Sequence, residues 1–392
     1  MASDSHLNWP FFEESHRLMA SELALWVSRN LRENGRDPIQ ACRKLVSQLG
    51  DAGWLKYVIA GKSLGGAADA IDTRSFCLIR EALAEHSGLG DLVFATQGLG
   101  SGAISLFGDE AQKKTYLPRV AKGTAIAAFA LSELAAGSDV AALQCAARSE
   151  GGDYILNGEK MWVSNGGIAD FYVTFVRTGE APGAKGISAF IVEAGSPGFA
   201  VAEMIKVIAP HPLARLTFTD CRIPASHRIG LPGHGFKIAM STLDVFRTSV
   251  AAAATGFARS ALRHALRRSV SRKMFGQLLS DFQLTQAKLA EMATGIDAAA
   301  LLTYRAAWLR DTGHSVTAEA AMAKLTATET AQKVIDAAVQ LLGGLGVVNG
   351  EPVERLYREI RPLRIYEGAT EIQLLIIARE IIKEFKAQAQ HI

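Results

Sequence analysis

The chain has 392 residues, 49% of them apolar, and its 42 Lys and Arg nearly balance 39 Asp and Glu. That length exceeds what one hydrophobic core supports, so two or three subdomains are expected. The basic residues are scattered rather than gathered into a stripe with interleaved aromatics, which argues against nucleic acid, and the Ala-rich run at 250–254 is too short to span a bilayer, which argues against a membrane.

Met1-Ala2-Ser3-Asp4-Ser5-His6 lacks a basic and an apolar leader segment, and Gln390-His391-Ile392 is not a peroxisomal address. A bacterial cytoplasmic protein fits best, a mature mitochondrial chain less well. Cys42, Cys77, Cys145 and Cys221 are far apart, with neither a CxxC pair nor a nearby His at ligand spacing. They read as reduced, mostly buried thiols, and no metal site is expected.

Residues 1–124 are expected to form an N-terminal helical domain, with Leu18, Leu23, Leu25 and Trp26 as its first apolar set and a helix running toward Pro118. Residues 125–235 carry short β-rich runs, among them 171–176 and 188–192, separated by Pro182-Gly183 and Pro197-Gly198. They predict a middle β domain, sandwich- or barrel-like. Asn157-Gly158 between two such runs predicts a type I′ hairpin, because both central residues of that turn need positive φ. From 236 to 392 the helical period returns: Leu289, Met292, Ala293 and Ile296 share one face, as do Val334, Ala337, Ala338 and Leu341. A C-terminal four-helix bundle follows, and with it an α+β fold class. Gly343-Gly344-Leu345-Gly346 follows a helical pattern and lacks GxGxxG spacing, so a dinucleotide-binding Rossmann domain is not supported.

The sharpest chemical signal is Tyr366-Glu367-Gly368. A Glu held against an apolar Ile-Tyr segment is disfavoured as an anion, which raises its pKa toward the range of a general base for a carbon-bound proton. Gly368 allows close backbone approach, and a free N–H there could polarise a substrate carbonyl. In isolation such a triplet is more often an ordinary helix start with a solvated carboxylate.

Its companions change that balance. Leu131-Ser132-Glu133-Leu134-Ala135-Ala136-Gly137-Ser138-Asp139, Gly158-Glu159-Lys160-Met161-Trp162-Val163-Ser164-Asn165-Gly166, Gly235-Phe236-Lys237, Arg272-Lys273-Met274-Phe275-Gly276 and Gln340-Leu341-Leu342-Gly343-Gly344 occur in order. With Tyr366-Glu367-Gly368 and the helical, β, helical arrangement, the chain resembles the acyl-CoA dehydrogenase family. The resemblance implies an FAD enzyme that converts an acyl-CoA to a trans-2-enoyl-CoA, with Glu367 as catalytic base, and passes electrons to an electron-transfer flavoprotein. It also implies a homotetramer built as a dimer of dimers. Where some relatives place the base on the helix after the β domain, this chain has Phe246.

By the same resemblance Phe129, Leu131, Ser132, Gly137 and Ser138 run along the flavin, and Trp162, Val163 and Ser164 lie beside its ring. Arg272 and Phe275 reach the FAD of a neighbouring subunit, and Phe282, Gln283, Gln340, Leu341, Gly343 and Gly344 surround its adenine dinucleotide. Thr370 and Glu371 match positions near the adenosine. Ser138, Asp244, Arg247, Tyr366 and Gly368 match substrate contacts, and Phe94, Ala95 and Leu99 the acyl-pocket floor. Relatives often carry Thr at Ser132, Pro at Leu134, and a Thr-Ser pair where this chain has Ala369-Thr370. A carrier-protein-bound acyl substrate, oxidation by oxygen, and a non-catalytic flavin-binding homologue are the alternatives.

Overall fold

The computed structural model describes residues 5–31 and 37–389. Met1-Ala2-Ser3-Asp4 and Gln390-His391-Ile392, read above for targeting signals, lie outside the described residues. In chain order the helices and strands are α1 (Glu14–Asn30), α2 (Pro38–Asp51), α3 (Thr73–His86), α4 (Gly88–Phe107), α5 (Glu110–Ala121), β1 (Ala127–Ala130), β2 (Ala146–Glu150), β3 (Asp153–Ser164), β4 (Phe171–Arg177), β5 (Ile187–Glu193), β6 (Phe199–Met204), β7 (Leu213–Pro224), β8 (Arg228–Ile229), α6 (Gly235–Ser271), β9 (Lys273–Met274), β10 (Gln277–Leu278), α7 (Gln283–Asp311), α8 (Thr317–Leu342), α9 (Pro352–Leu363) and α10 (Thr370–Ala389). The order is that of an acyl-CoA dehydrogenase-like α+β protein: helices, a β segment, helices. The chain divides into two compact units, a helical one from residues 1–33, 73–91 and 247–392 and a β-containing one from 34–72 and 92–246.

Helix starts follow local chemistry. Pro38 opens α2 while Asp37 accepts from the Ile39 N–H at 2.9 Å, and Asp109 and Gln112 cap each other's backbone N–H groups before α5. On α1 the buried stripe is His16, Met19, Leu23 and Val27, so of the four apolar residues that suggested this helix only Leu23 is fully covered, and Leu18 and Leu25 face outward.

In the helical unit α6, α7 and α8 pack through small side chains. Ala254, Ala258 and Ala261 of α6 share a core with Met292 and Ile296 of α7 and with Ala327, Ala331 and Ile335 of α8, and Val353, Leu356 and Ile360 of α9 join it. Alanine ridges let helix axes approach closely and make the few large aliphatics matter. Truncating the fully buried Ile335 to Ala is expected to cost about 2–5 kcal/mol.

The β-containing unit holds an eight-stranded sheet in the order β6-β7-β3-β2-β4-β5-β8, with β1 parallel to β4. From Phe171 to Val176 β4 is buried at every residue, which explains why the segment reads as an unbroken apolar run. The Asn157-Gly158 hairpin does not form. Instead β3 runs through it, pairing with β2 on one side and β7 on the other, and only a register shift beside Gly158 marks the place. The reversal lies at Gly151-Gly152, with φ of 62° and 88°, the positive values a tight hairpin demands. Both dipeptides carry turn chemistry, and pairing on both edges of β3 decides between them. All four cysteines are buried and free.

Candidate active site

Between α9 and α10 the chain reverses. The Ile365 and Tyr366 N–H groups both donate to the Pro362 carbonyl, and the Thr370 N–H returns to the Arg364 carbonyl at 3.1 Å, closing a compact turn. At its apex Glu367 adopts φ 52° and Gly368 φ 92°. A left-handed glycine is ordinary, but a left-handed Glu is held there against its preference, a form of strain that clusters at functional sites. The restraint comes from two buried side chains. Lys324 of α8, fully buried, donates to the Gly368 carbonyl at 2.7 Å. Gln373 of α10 donates to the same oxygen at 2.7 Å and to the Glu367 carbonyl at 3.3 Å. A Cβ on residue 368 would lie 2.5 Å from the Gln373 amide, so glycine is required twice over.

The Glu367 residue is only partly covered, but its Oε2 is buried and has no hydrogen-bond partner. Burial raises its pKa above the ordinary 4.5; Arg80, Arg247 and Lys324 oppose that rise and Asp91 adds to it. Lys324 is driven the other way, to about 8, again chiefly by burial. The site is therefore a desolvated carboxylate in a ring of cations, none of which hydrogen-bonds its Oε2. Tyr366 packs its ring on the alanine-rich core and is hydrogen-bonded to Arg80.

In the β-containing unit the segment predicted to line a flavin is organised by Glu133 and Lys160. Lys160, fully buried, donates to Glu133 Oε1 at 2.7 Å and to the Leu131 carbonyl at 3.0 Å, and Glu133 accepts from the Gln144 and Cys145 N–H groups. Backbone bonds exchanged between Glu133 and Ala136 close a tight loop whose tip carries the exposed Leu134, so the turn survives where relatives often have Pro. Phe129 stacks obliquely on Phe175, Leu131 is buried, Ser132 is half-buried, and Gly137 and Ser138 are exposed. The Met161 N–H donates to the Ser132 carbonyl at 2.8 Å, which joins this segment to β3.

There β3 slips against β7 between Lys160 and Val163, and Trp162 takes φ 60° and stands 49% exposed between half-buried and buried neighbours. A bulge re-aims one side chain without ending the strand, and here it presents an indole outward. Val163 is buried, and Ser164 Oγ lies 3.5 Å from His211 Nε2. Asn165 anchors the end of the strand, donating to Thr96 Oγ1 and to the Ala127 carbonyl. The short motif shows Trp162 as a candidate; the bulge that turns it outward, and the roles of Glu133, Lys160 and Asn165, required the fold.

The sequence matches the acyl-CoA dehydrogenase N-terminal domain over residues 11–124, the middle domain over 128–221 and the C-terminal domain over 233–382. The chain belongs to the acyl-CoA dehydrogenase family. It is 39% identical over 345 residues to the human short-chain specific acyl-CoA dehydrogenase of mitochondria, covering 87% of this chain and 83% of that one. Butyryl-CoA dehydrogenase from Megasphaera elsdenii superposes with a TM-score of 0.80 at 34% identity, covering 90% of this chain and all of the other. A chain solved in work on the electron transferring flavoprotein of Acidaminococcus fermentans reaches a TM-score of 0.89 at 37% identity, covering 94% and 98%.

Acyl-CoA dehydrogenases are FAD-dependent oxidoreductases, and the outward indole, the Ser132 and Ser164 hydroxyls and the open space beside Gly137 suit a flat heteroaromatic ring. In the helical unit the dehydrogenase's other predicted contacts lie on the surface. Arg272 precedes the β9–β10 hairpin, whose tip is Phe275-Gly276; Phe275 is 87% exposed, with its ring edge-on to Phe282. Gln283 opens α7, and the antiparallel return of α8 brings Gln340, Leu341 and the exposed Gly343-Gly344 to the same end of the pair. Thr370 caps α10, its hydroxyl donating to Glu329 at 2.7 Å, and Glu371 is exposed. Arg247 is buried beside Glu367, and Asp244 lies part-buried on the same helix. Phe246 is buried and Phe94 fully so, while Ala95 and Leu99 are partly exposed on α4.

Proposed function

We propose that this enzyme dehydrogenates the α,β-bond of an acyl-CoA to a trans-2-enoyl-CoA, with Glu367 removing the α-proton, and that its electrons pass to an electron-transfer flavoprotein. The observation that carries the reading is the Glu367 carboxylate: buried, unpartnered at Oε2 and held on a left-handed turn. A carboxylate that has lost water without gaining a hydrogen bond is a stronger base than its exposed counterpart. An isolated thioester α-proton is still too weakly acidic, so the carbonyl oxygen must be polarised. The Glu367 N–H, which has no acceptor among the described residues, is the chain's own donor for that oxygen.

Bound FAD supplies the hydride acceptor for the β-hydrogen. Ser132, Trp162, Val163 and Ser164 would hold its ring system, and Arg272, Phe275, Gln283 and Gly343-Gly344 the dinucleotide of a neighbouring subunit. A homotetramer fits the exposed Phe275 and Leu284 and the outward Leu375, Ile382 and Phe385 of α10, an apolar display unusual for a monomer. Similarity to short-chain and butyryl-CoA enzymes makes short acyl chains the first substrates to try.

Anaerobic titration of the flavoprotein with a panel of straight, branched and cyclic acyl-CoAs tests the reading. Bleaching of the flavin with loss of two hydrogens from one class of acyl-CoA is the expected result. A yellow protein that no acyl-CoA reduces would overturn CoA as the carrier and redirect the search to acyl groups on a carrier protein.

A further inference from the structure

Arg80 is the most elaborately held cation in the helical unit. It lies 2% exposed near the end of α3 and grips Asp91 of α4 with two bonds, Nε to Oδ1 at 2.7 Å and Nη2 to Oδ2 at 2.8 Å. Its Nη1 donates to Ser249 Oγ at 2.9 Å, and it is hydrogen-bonded to Tyr366. As a stabiliser of the fold such a pair is a poor choice, because desolvating two charges cancels most of their attraction and well-packed apolar residues do as well. The same α3 carries a pair that is structural on its face: Asp311 accepts from the Thr73 and Arg74 N–H groups and from Arg74 Nε, capping the helix. Arg80 caps nothing. What it touches is the residue before the base.

We propose that the Arg80–Asp91 pair is a positioning device for Glu367, acting through the hydrogen bond from Arg80 to Tyr366. The proposal rests on the reading of Glu367 as the base. Tyr366 is then fixed at two places, its ring on the alanine core and its hydroxyl on Arg80, which sets where the chain enters the left-handed turn. Lys324 and Gln373 hold the Gly368 carbonyl just beyond. The strained Glu367 backbone thus lies between an upstream and a downstream clamp. Pairing with Asp91 makes the upstream clamp usable: a lone buried guanidinium beside the base would hold it ionised and weaken it, whereas the neutralised pair supplies donors with little net charge. Three further charges face Glu367 on the remaining sides, Arg247 from α6, Lys324 from α8 and Asp91 itself from α4.

The test follows anaerobic single-turnover reduction of the flavin by the best acyl-CoA as a function of pH, in the full-length flavoprotein and in Tyr366→Phe, Asp91→Asn and Glu367→Gln. Tyr366→Phe deletes the clamp without changing charge, so the limiting reduction rate should fall about tenfold or more while acyl-CoA binding changes less than about twofold. Asp91→Asn leaves Arg80 uncompensated, so the acid limb of the rate profile should move to lower pH by about one unit. A purely structural pair would lower the unfolding temperature of both variants and leave rate per bound flavin and acid limb unchanged, and that result overturns the proposal. If Asp91→Asn does not fold, the split between rate and binding in Tyr366→Phe decides alone. Reduction of Glu367→Gln at the wild-type rate would instead remove the base, a different failure.

Discussion

Two carboxylates in the helical unit, Glu81 and Glu367, are both withdrawn from water and have opposite chemistry. Glu81 on α3 accepts from Arg259 Nε at 2.7 Å and from the Tyr304 hydroxyl at 2.6 Å, and His6 stands 3.8 Å away while stacking on the Tyr304 ring. Burial alone would raise its pKa, but Arg259, His6 and these hydrogen bonds outweigh burial and lower it. Glu367 has cations nearby and no bond to its Oε2, and burial wins. Hydrogen bonding, more than burial or nearby charge, separates the carboxylate that holds the fold from the one poised to react.

The largest expected effect tests the reactive side of that contrast. Glu367→Gln should slow flavin reduction by acyl-CoA about 10²- to 10⁴-fold, measured by stopped flow, while FAD stays bound. The same variant should be more stable than the wild type at neutral pH. Because the folded pKa of Glu367 lies above its unfolded value, its favourable contribution is complete below about 4.5 and is lost as pH rises through the folded value. The gain in Tm should therefore vanish in acid, and a destabilised variant at neutral pH would show that the carboxylate has partners after all.

Glu81→Gln tests the other side. Removing one member of a buried, bonded pair leaves the Arg259 charge uncompensated, so a loss of about 3–5 kcal/mol in denaturant unfolding is expected, with the reduction rate per folded flavin little changed. Glu81 has a lowered folded pKa, so the stability it confers is present above its unfolded value and lost as pH falls through the folded one. If Glu81→Gln instead slowed reduction as strongly as Glu367→Gln, the division between the two carboxylates would collapse.

Much of the base site was legible in the sequence because its chemistry is local: Tyr366, Glu367 and Gly368 are consecutive, and the turn needs a glycine at the position that has one. What surrounds it was not legible. Lys324 meets Gly368 across 44 residues, and Arg80 and Asp91 reach Tyr366 from helices far earlier in the chain; a lone Lys, Arg or Asp in a helical pattern reads as a solvated surface residue. In the β segment the period-2 runs gave the strands, while the bulge that turns Trp162 outward depends on register against β7, a partner about fifty residues on. Asn157-Gly158 misled for the same reason, since local turn chemistry was overruled by pairing on both edges of β3. Thr370 was read toward the adenosine, and the structure gives its hydroxyl an internal acceptor in Glu329.

A smaller effect probes how the cations act on Glu367 without touching its Oε2. In Lys324→Met the Gly368 carbonyl keeps Gln373, so the turn should survive, but a positive charge that favours ionised Glu367 is gone. The acid limb of the flavin-reduction profile should then move to higher pH by about one unit, opposite in direction to Asp91→Asn. Lys324→Arg should restore the limb if charge is what matters, and failure to do so would point to the Gly368 hydrogen bond instead.

The smallest effect on stability is expected at Phe275, and it sharpens the contrast from outside the site. Its ring is 87% exposed on a two-residue turn, so it contributes little to the folding of its own chain, and Phe275→Ala should change unfolding free energy by no more than about 0.5 kcal/mol. A large exposed aromatic held at φ 47°, where non-glycine residues are uncommon, still calls for a reason outside the monomer. If that reason is the FAD of a neighbouring subunit, Phe275→Ala should lose flavin on dialysis while keeping its Tm in flavin-free buffer, and light scattering should show whether assembly weakens with it. Full retention of both flavin and assembly would show that Phe275 serves neither, and would detach the exposed end of the α7–α8 pair from the cofactor reading.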